Sequence, residues 1–286
     1  MIPYRRDITE LGYKLRESSR KQKRRLIALY DAMLNILLEG YIETMGEKII
    51  SPTGQMLSIL FELTFRLDEY LDKHRKTNDS LSLKEALGDP RIKEQLNLFR
   101  NYVRLFGREK PITSYLKEMF ATHYDHYVSL ISTDVGRESF KNTLEISQMD
   151  SGRSISSAME IVRLFNMHRP NQKILSEFYH LGTVLKFVED IIDLACDMQK
   201  GHLNLFCSLV NQHPDEKANL YREIENQQRF DFEWLNKNCH KTFIEYLSLM
   251  ESYFSQISSP KLKLVCDLSA VPIFLGDYDP EHHAAS

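Results

Sequence analysis

Two acidic segments of the chain carry carboxylates at a spacing that a helix would bring onto one face. Asp68 and Asp72 are four residues apart, and so are Asp193 and Asp197, which places each pair one turn apart on the same side of a helix. Apolar residues precede both segments, and a carboxylate in apolar surroundings is costly unless a positive charge neutralises it. Oxygen ligands of this kind suit Mg²⁺, which binds a few carboxylates together with substrate phosphates. The pattern therefore predicts chemistry on a diphosphate.

A helical wheel puts apolar and basic residues on the same faces as the two acidic pairs. The first face holds Phe61, Phe65, Asp68, Asp72 and Arg75. The second face holds Tyr179, Gly182, Lys186, Glu189, Asp190, Asp193, Asp197 and Lys200. Both faces run from an aromatic or open inner surface to a rim of acids and bases. This arrangement predicts one shared apolar pocket with a charged entrance.

A solvated helix surface is the alternative interpretation of either acidic pair. The chain contains 40 acidic residues among 286, so several pairs at this spacing arise by chance. For one pair taken alone, a solvated face is the more common outcome. Two pairs with matching apolar flanks favour the shared site.

The composition is typical of an all-α protein. Hydrophobic residues make up 42% of the chain, with only 11 glycines and 9 prolines, and nearly every segment has helical periodicity. The predicted helices cover about 9–45, 55–76, a short piece after the capping box at 82–85, 90–106, 112–134, 137–167 with a break near Ser151-Gly152, 171–199, 203–211, 215–225, 229–256 and 260–268. This pattern predicts an antiparallel helical bundle. No linker composition divides it, so residues 1–286 are expected to form one domain.

The same composition bears on partners and location. No apolar run approaches the roughly 18 residues that span a bilayer, and the net charge of −3 gives no indication of nucleic-acid binding. The N-terminus lacks the apolar core of a signal peptide. The cysteines (Cys196, Cys207, Cys239 and Cys266) have no CxxC spacing. Reduced thiols in a cytoplasmic protein are the expectation.

The paired motifs resemble those of the all-α class I isoprenoid synthase superfamily. Asp68-x-x-x-Asp72 is followed by Asp193-x-x-x-Asp197-x-x-x-Gly201-His202-Leu203-Asn204-Leu205, and the combination is most similar to the tetraprenyl-β-curcumene synthase-like terpene synthases, also called class IB. Phytoene and squalene synthases share the two Asp-x-x-x-Asp turns. The resemblance covers about residues 55–210. His202 departs from it, since an acid is favoured at that position, and no metal role is expected there.

This resemblance implies a bundle of the isoprenoid synthase type around a central apolar cavity, with three Mg²⁺ ions joining both motifs to the substrate diphosphate. Asp68 and Asp72 would bind metal from one side, and Asp193 and Asp197 from the other. The additional ligands, or groups that orient the ligands, would be Glu69, Glu189 and Asp190. The diphosphate-binding bases would be Lys200, Arg75, Lys186 and Arg153.

The resemblance also implies a role for the apolar wall. An allylic carbocation needs a cavity without water and is stabilised by aromatic faces. The residues expected to line that cavity are Phe61, Phe65, Tyr179 and Gly182. The Ser151-Gly152 break resembles a helix break that lies against the diphosphate in related synthases, although a lone glycine is equally often a local weakness.

The implied activity is that of a Mg²⁺-dependent terpene synthase, a carbon–oxygen lyase that ionises one linear prenyl diphosphate, cyclises the carbocation and releases diphosphate. A prenyl-coupling enzyme of the phytoene or squalene synthase kind, or a chain-elongating prenyltransferase, is the first alternative. No Gly-Lys-x-x-Arg segment precedes the first motif, which counts against elongation. A non-catalytic helical lipid-binding protein with solvated acidic turns is the second alternative.

Two further patterns have ordinary explanations. His123 and His126 have metal-like spacing but no third ligand, so surface histidines are the favoured interpretation. The basic stretch from Arg16 to Arg25 is typical of a solvated helix face, with peripheral contact to anionic lipid as the alternative. A homodimer is left open by the sequence.

Overall fold

The computed structural model describes residues 22–75, 83–131, 139–224, 230 and 232–275. Within these ranges the regular structure is helical and no strand occurs. The first helices are α1 (Gln22–Met45), α2 (Thr53–Arg75), α3 (Leu83–Ala86), α4 (Pro90–Leu105), α5 (Glu109–Ile131), α6 (Phe140–Ser147), a π-helical turn (Gln148–Arg153) and α7 (Ser154–Asn166). They are followed by α8 (Gln172–Ile192), α9 (Leu194–Lys200), α10 (Leu205–Val210), α11 (Pro214–Glu223), α12 (Phe232–Asn238), α13 (His240–Phe254) and α14 (Pro260–Leu275).

Helix α8 is the centre of this arrangement. It contacts α1, α7, α13, α14 and the π turn, and it takes part in both hydrophobic clusters of the described core. Its Phe178 and Leu181 belong to the first cluster, and its Phe187 and Ile191 belong to the second. The acidic end of α8 is therefore anchored by apolar packing along the whole helix.

Within the described residues most helix boundaries lie within a few residues of the prediction, but the last helix continues to Leu275 instead of ending near residue 268, and two predicted helices are interrupted. The predicted helix over 171–199 is divided at Asp193, and the predicted helix over 229–256 is divided at Cys239, where ψ is 42°. The Asp197 N–H still donates to the Asp193 carbonyl at 2.8 Å. The two aspartates of the second motif therefore remain one helical turn apart, as predicted.

The predicted break at Ser151-Gly152 takes the form of the π turn, which lies against α8. A Cβ atom on Gly182 of α8 would lie 2.3 Å from the Ser151 carbonyl oxygen and 2.9 Å from the Gly152 Cα. A Cβ atom on Gly152 would lie 2.8 Å from Thr183 Oγ1. The two glycines thus allow the backbones of α8 and the π turn to touch.

Within the parts of the chain that are described, no helix has the combined length and apolar character required to cross a membrane. The N-terminal part of the basic stretch (16–21) lies outside the described residues, and so do the side chains of residues 22–25. The capping-box residue Ser82 and the side chains of His123 and His126 lie outside them as well.

We expect the contact between the two glycines to limit what can replace Gly182. Gly182→Ala should lower the free energy of unfolding by about 1–3 kcal/mol, because a methyl group forced against a backbone carbonyl must displace the π turn. Thermal unfolding measures this change.

Gly54→Ala is the matched control, because a Cβ atom there would meet only Leu38 Cδ1, at 3.7 Å. Its stability should stay the same or rise by less than about 1 kcal/mol, since alanine is the better helix former. Equal melting temperatures for the two variants would contradict the close contact.

Candidate active site

A buried ion pair marks the carboxyl-terminal end of α8. Asp190 is 1% exposed, and its Oδ1 lies 3.2 Å from the Nζ of Lys186, one turn earlier in the helix. The same ammonium lies 3.0 Å from Glu189 Oε1. Oδ1 of Asp190 has no hydrogen bond of good geometry, so its contact with Lys186 is mainly electrostatic. A buried carboxylate oxygen thus keeps unused acceptor capacity.

The second oxygen and the backbone of Asp190 hold the chain segment that follows α9. The Leu205 N–H donates to Asp190 Oδ2 at 2.6 Å, and the Asn204 side-chain amide donates to the Asp190 carbonyl at 2.7 Å. These bonds bring the connection between α9 and α10 back against α8. Because α9 lies within the segment that these bonds hold against α8, they also determine where Asp197 lies.

Asp197 lies beside the ion pair with its side chain only 15% exposed. Its Oδ2 accepts a hydrogen bond of 2.9 Å from Asn204 Nδ2, and its Oδ1 lies 3.6 Å from His202 Nδ1. Burial raises the pKa of Asp197 to about 6, against the lowering effect of the hydrogen bond from Asn204. The negative charge of Asp193 also raises the pKa of Asp197.

The charges around Lys186 are not balanced. Burial by itself would lower the pKa of Lys186, but Asp190, Glu189 and Asp150 of the π turn together raise it well above its ordinary value. Burial raises the pKa of Asp190 despite the nearby ammonium. Among the side chains that the structure describes, three carboxylates (Asp190, Glu189 and Asp150) thus act on the single ammonium of Lys186. A site of this sign attracts a cation.

The oxygen-only donor set and the unused Asp190 oxygen suit Mg²⁺. Among the described residues, no three His, Cys, Asp or Glu side chains are grouped closely enough to hold a metal ion by themselves. The side chains of Asp68, Asp72 and Arg75 lie outside the described residues, although α2 carries all three. The second motif offers oxygen donors for a metal, and a metal role for both motifs stays a prediction.

The other residues predicted for the first motif lie in different surroundings. Glu69 is exposed, with its Oε2 3.4 Å from Arg66 and 3.9 Å from Arg91 of α4. Phe61 is partly buried and packs against the first core cluster. Phe65 is 60% exposed and does not belong to that cluster. A metal role for Glu69 and a cavity role for the two rings stay predictions.

The remaining predicted residues surround the π turn and the end of α9. The ring of Tyr179 lies 3.1 Å from the place where a Gly152 Cβ would be, and Gly182 is buried against the same turn. Gly182 was predicted to line the cavity, but the backbone of the π turn fills the space beside it. Arg153 and Lys200 are exposed, and their proposed binding of diphosphate stays a prediction.

No protein-family model and no curated protein matches this sequence. The crystal structure of a polyprenyl synthase from Roseobacter denitrificans is similar, with a TM-score of 0.56 and 12% identity over 94% of this chain and 96% of that chain. The apo form of an Arabidopsis medium/long-chain length prenyl pyrophosphate synthase is similar too, with a TM-score of 0.53 and 12% identity over 93% and 95% of the two chains.

The chain shares the all-α fold of these two prenyl synthases. The predicted all-α fold class is thereby confirmed. Identity of 12% establishes the fold and no activity. The finer resemblance to class IB terpene synthases stays a prediction.

Sequence reasoning missed two residues of the site. Asn204 was noted only as part of a motif, although an asparagine directly before an apolar run is a helix-start signal and the structure has it as the N-cap of α10. Asp150 was not considered, because nothing in the local sequence shows that the π turn brings it close to Lys186. Both contacts connect distant parts of the chain.

Removing the charge of Asp197 should stabilise the metal-free protein at neutral pH. Because the pKa of Asp197 is raised from 3.8 to about 6, the folded state holds this proton more tightly than the unfolded state. The free energy of unfolding must therefore fall as the pH rises through that interval. Asp197→Asn should raise it by roughly 1–3 kcal/mol at neutral pH and leave it nearly unchanged near pH 4, the lower limit of that interval.

Thermal unfolding in the presence of EDTA across this pH range measures the effect. Glu94→Gln, which neutralises an exposed acid of α4, is the control, and its free energy of unfolding at neutral pH should stay within about 0.5 kcal/mol of the wild type. A constant difference between Asp197→Asn and the wild type at all pH values would contradict the raised pKa.

Proposed function

We propose that this protein is a Mg²⁺-dependent enzyme that ionises a linear prenyl diphosphate. The observation that carries the proposal is the pair of largely buried carboxylates, Asp190 at the end of α8 and Asp197 on α9, in a chain with the fold of prenyl synthases. Burying two acids beside one ammonium is costly without a function that uses their charge. A diphosphate brought in together with divalent cations would neutralise them.

Asp193 and Asp197 would hold the metal on the α8 and α9 side, and Asp68 and Asp72 would hold it from α2. Mg²⁺, when bound, supplies positive charge that stabilises the negative charge developing on the departing diphosphate oxygen. Three ions are expected, in line with the family resemblance. Lys186 already lies among the acids, and its ammonium opposes the effect of burial, which raises the pKa of Asp190.

The bases at the edge of the site would bind the diphosphate directly. Lys200 follows Asp197 by three residues, so both lie on one side of α9. Arg153 is exposed on the π turn, and Arg75 is the corresponding base on α2. Together with Lys186, these cations would orient the leaving group and reduce its charge.

We propose cyclisation as the reaction that follows ionisation. The allylic carbon–oxygen bond breaks with both electrons leaving on diphosphate, and a double bond of the same chain attacks the cation to form a carbon–carbon bond. Loss of a proton or addition of water then ends the reaction. The basis is the paired motif that resembles terpene synthases, together with the absence of a Gly-Lys-x-x-Arg segment before the first motif.

Chain elongation is the second candidate, because both similar structures are prenyl synthases by name. In that reaction the cation would be attacked by the double bond of isopentenyl diphosphate instead. Coupling of two prenyl diphosphates is the third variant of the same ionisation.

A lipid-binding protein with solvated acidic turns is a weaker candidate. Asp190 is 1% exposed, and Asp197 is mostly buried, which a solvated helix face does not require. Cytoplasmic location, a homodimer and peripheral contact with a membrane stay proposals from the sequence.

Catalysis should require Mg²⁺ and both acidic motifs. Asp193→Asn and Asp72→Asn keep the size of the side chain but remove a charged ligand, so turnover should fall about 100-fold or more. Release of diphosphate from prenyl diphosphates, with and without EDTA, measures turnover.

Glu94→Gln should retain wild-type turnover, because Glu94 is an exposed acid on α4. Circular dichroism checks that each variant is folded. Near wild-type turnover in Asp193→Asn, still abolished by EDTA, would remove Asp193 from the metal site.

The carbon count of the product should equal that of a single substrate molecule. Incubation with linear prenyl diphosphates of increasing length and Mg²⁺, with and without isopentenyl diphosphate, followed by mass spectrometry of the extract, decides this point. A product extended by isoprene units only when isopentenyl diphosphate is present would assign the chain to the elongating enzymes. A doubled carbon count would assign it to the coupling enzymes.

A further inference from the structure

The side chain of Asn204 is 2% exposed and uses both ends of its amide. Nδ2 donates to the Asp190 carbonyl at 2.7 Å and to Asp197 Oδ2 at 2.9 Å. Oδ1 accepts from the backbone N–H groups of Phe206 at 3.0 Å and Cys207 at 3.2 Å. One buried amide therefore joins the end of α8, the helix α9 and the start of α10.

These partners fix the orientation of the amide. Two backbone N–H groups point at one end of the side chain, so that end must be the carbonyl oxygen. The two acceptors at the other end, a backbone carbonyl and a carboxylate, need the NH₂ group. Reversing the amide would put oxygen against both of them and leave two helix-start N–H groups without an acceptor.

Capping of α10 does not by itself require asparagine. Serine, threonine and aspartate cap a helix about as well, because the cap needs only a side-chain acceptor. The donor end is what distinguishes asparagine at this position. Aspartate would place a second carboxylate against Asp197, and serine is too short to bridge Asp190 and Asp197.

We propose that Asn204 is a positioning residue for Asp197, holding Oδ2 of that carboxylate so that Oδ1 is presented to the metal. This inference rests on the proposed function, in which Asp197 binds Mg²⁺. The amide sets the rotamer of Asp197 relative to α8, and the substrate does not touch Asn204. Loss of the amide donor then weakens metal binding through Asp197 alone.

The test is a calorimetric titration of Mg²⁺ into the protein with inorganic diphosphate present, corrected for the same titration without protein. Asn204→Ser keeps a capping acceptor but removes both donors. The apparent affinity for Mg²⁺ should fall about 10- to 100-fold, the usual effect of losing a group that orients a metal ligand. Asn204→Thr likewise keeps a capping acceptor and removes the amide donors, and its affinity should fall as far.

Asn171→Ser is the matched control, because Asn171 is also an N-cap, at the start of α8, and its side chain accepts from the Lys173 N–H. Its affinity for Mg²⁺ should stay within about twofold of the wild type. A purely structural role for Asn204 would predict that both serine variants lose thermal stability while Mg²⁺ affinity is unchanged, and that result would overturn the inference.

A double-mutant cycle with Asp197→Asn tests whether Asn204 acts through Asp197. In the Asp197→Asn background, Asn204→Ser should change Mg²⁺ affinity by less than about twofold. If Asn204→Ser lowers Mg²⁺ affinity as much in the Asp197→Asn background as in the wild type, the inference is overturned. If the wild type binds no Mg²⁺ with diphosphate, the proposed function itself fails, whereas normal binding in Asn204→Ser and Asn204→Thr rejects only the role of Asn204.

Discussion

An ammonium group and a carboxylate lie 3.2 Å apart where α8 ends, and the carboxylate has almost no contact with water. Burying an ion is costly unless its charge and its hydrogen-bonding capacity are both satisfied. Lys186 supplies the charge, and the backbone N–H of Leu205 supplies a hydrogen bond. The chain must therefore return to α8 after leaving it, and that return determines where Asp197 lies. The need to neutralise and hydrogen-bond the buried carboxylate of Asp190 thus determines both the local fold and the electrostatics of the site.

The buried acids at the end of α8 reduce the stability of the folded chain, and apolar packing on both sides of them offsets this loss. Helix α8 contributes Phe178 to one hydrophobic cluster and Phe187 to the other, so its backbone is held along its length. The rigid helix keeps the carboxylates close together although they repel each other. Functional sites commonly hold like charges close together at a cost in folding stability.

The sequence predicted those features that depend on local spacing. The helix carrying Asp68 and Asp72, the turn relating Asp193 to Asp197 and the break at Ser151-Gly152 all follow from residue order and helical period. The partner of Asn204 on α8 and the pairing of Glu69 with Arg91 join residues that are distant in the chain. A single sequence contains no information on such contacts, and the burial of Asp190 depends on them.

The π turn at Gln148–Arg153 accommodates more residues per turn than an α-helix does. Each residue of an α-helix advances the side-chain direction by about 100°, so an extra residue in an ordinary helical turn would rotate every side chain that follows it. The wider π turn absorbs such a residue, and the buried face of α7, which includes Met159, Val162 and Phe165, keeps its direction towards the core. Deleting one residue within the π turn should therefore leave that face in the core, whereas the same deletion inside α7 would rotate the residues after it out of the core.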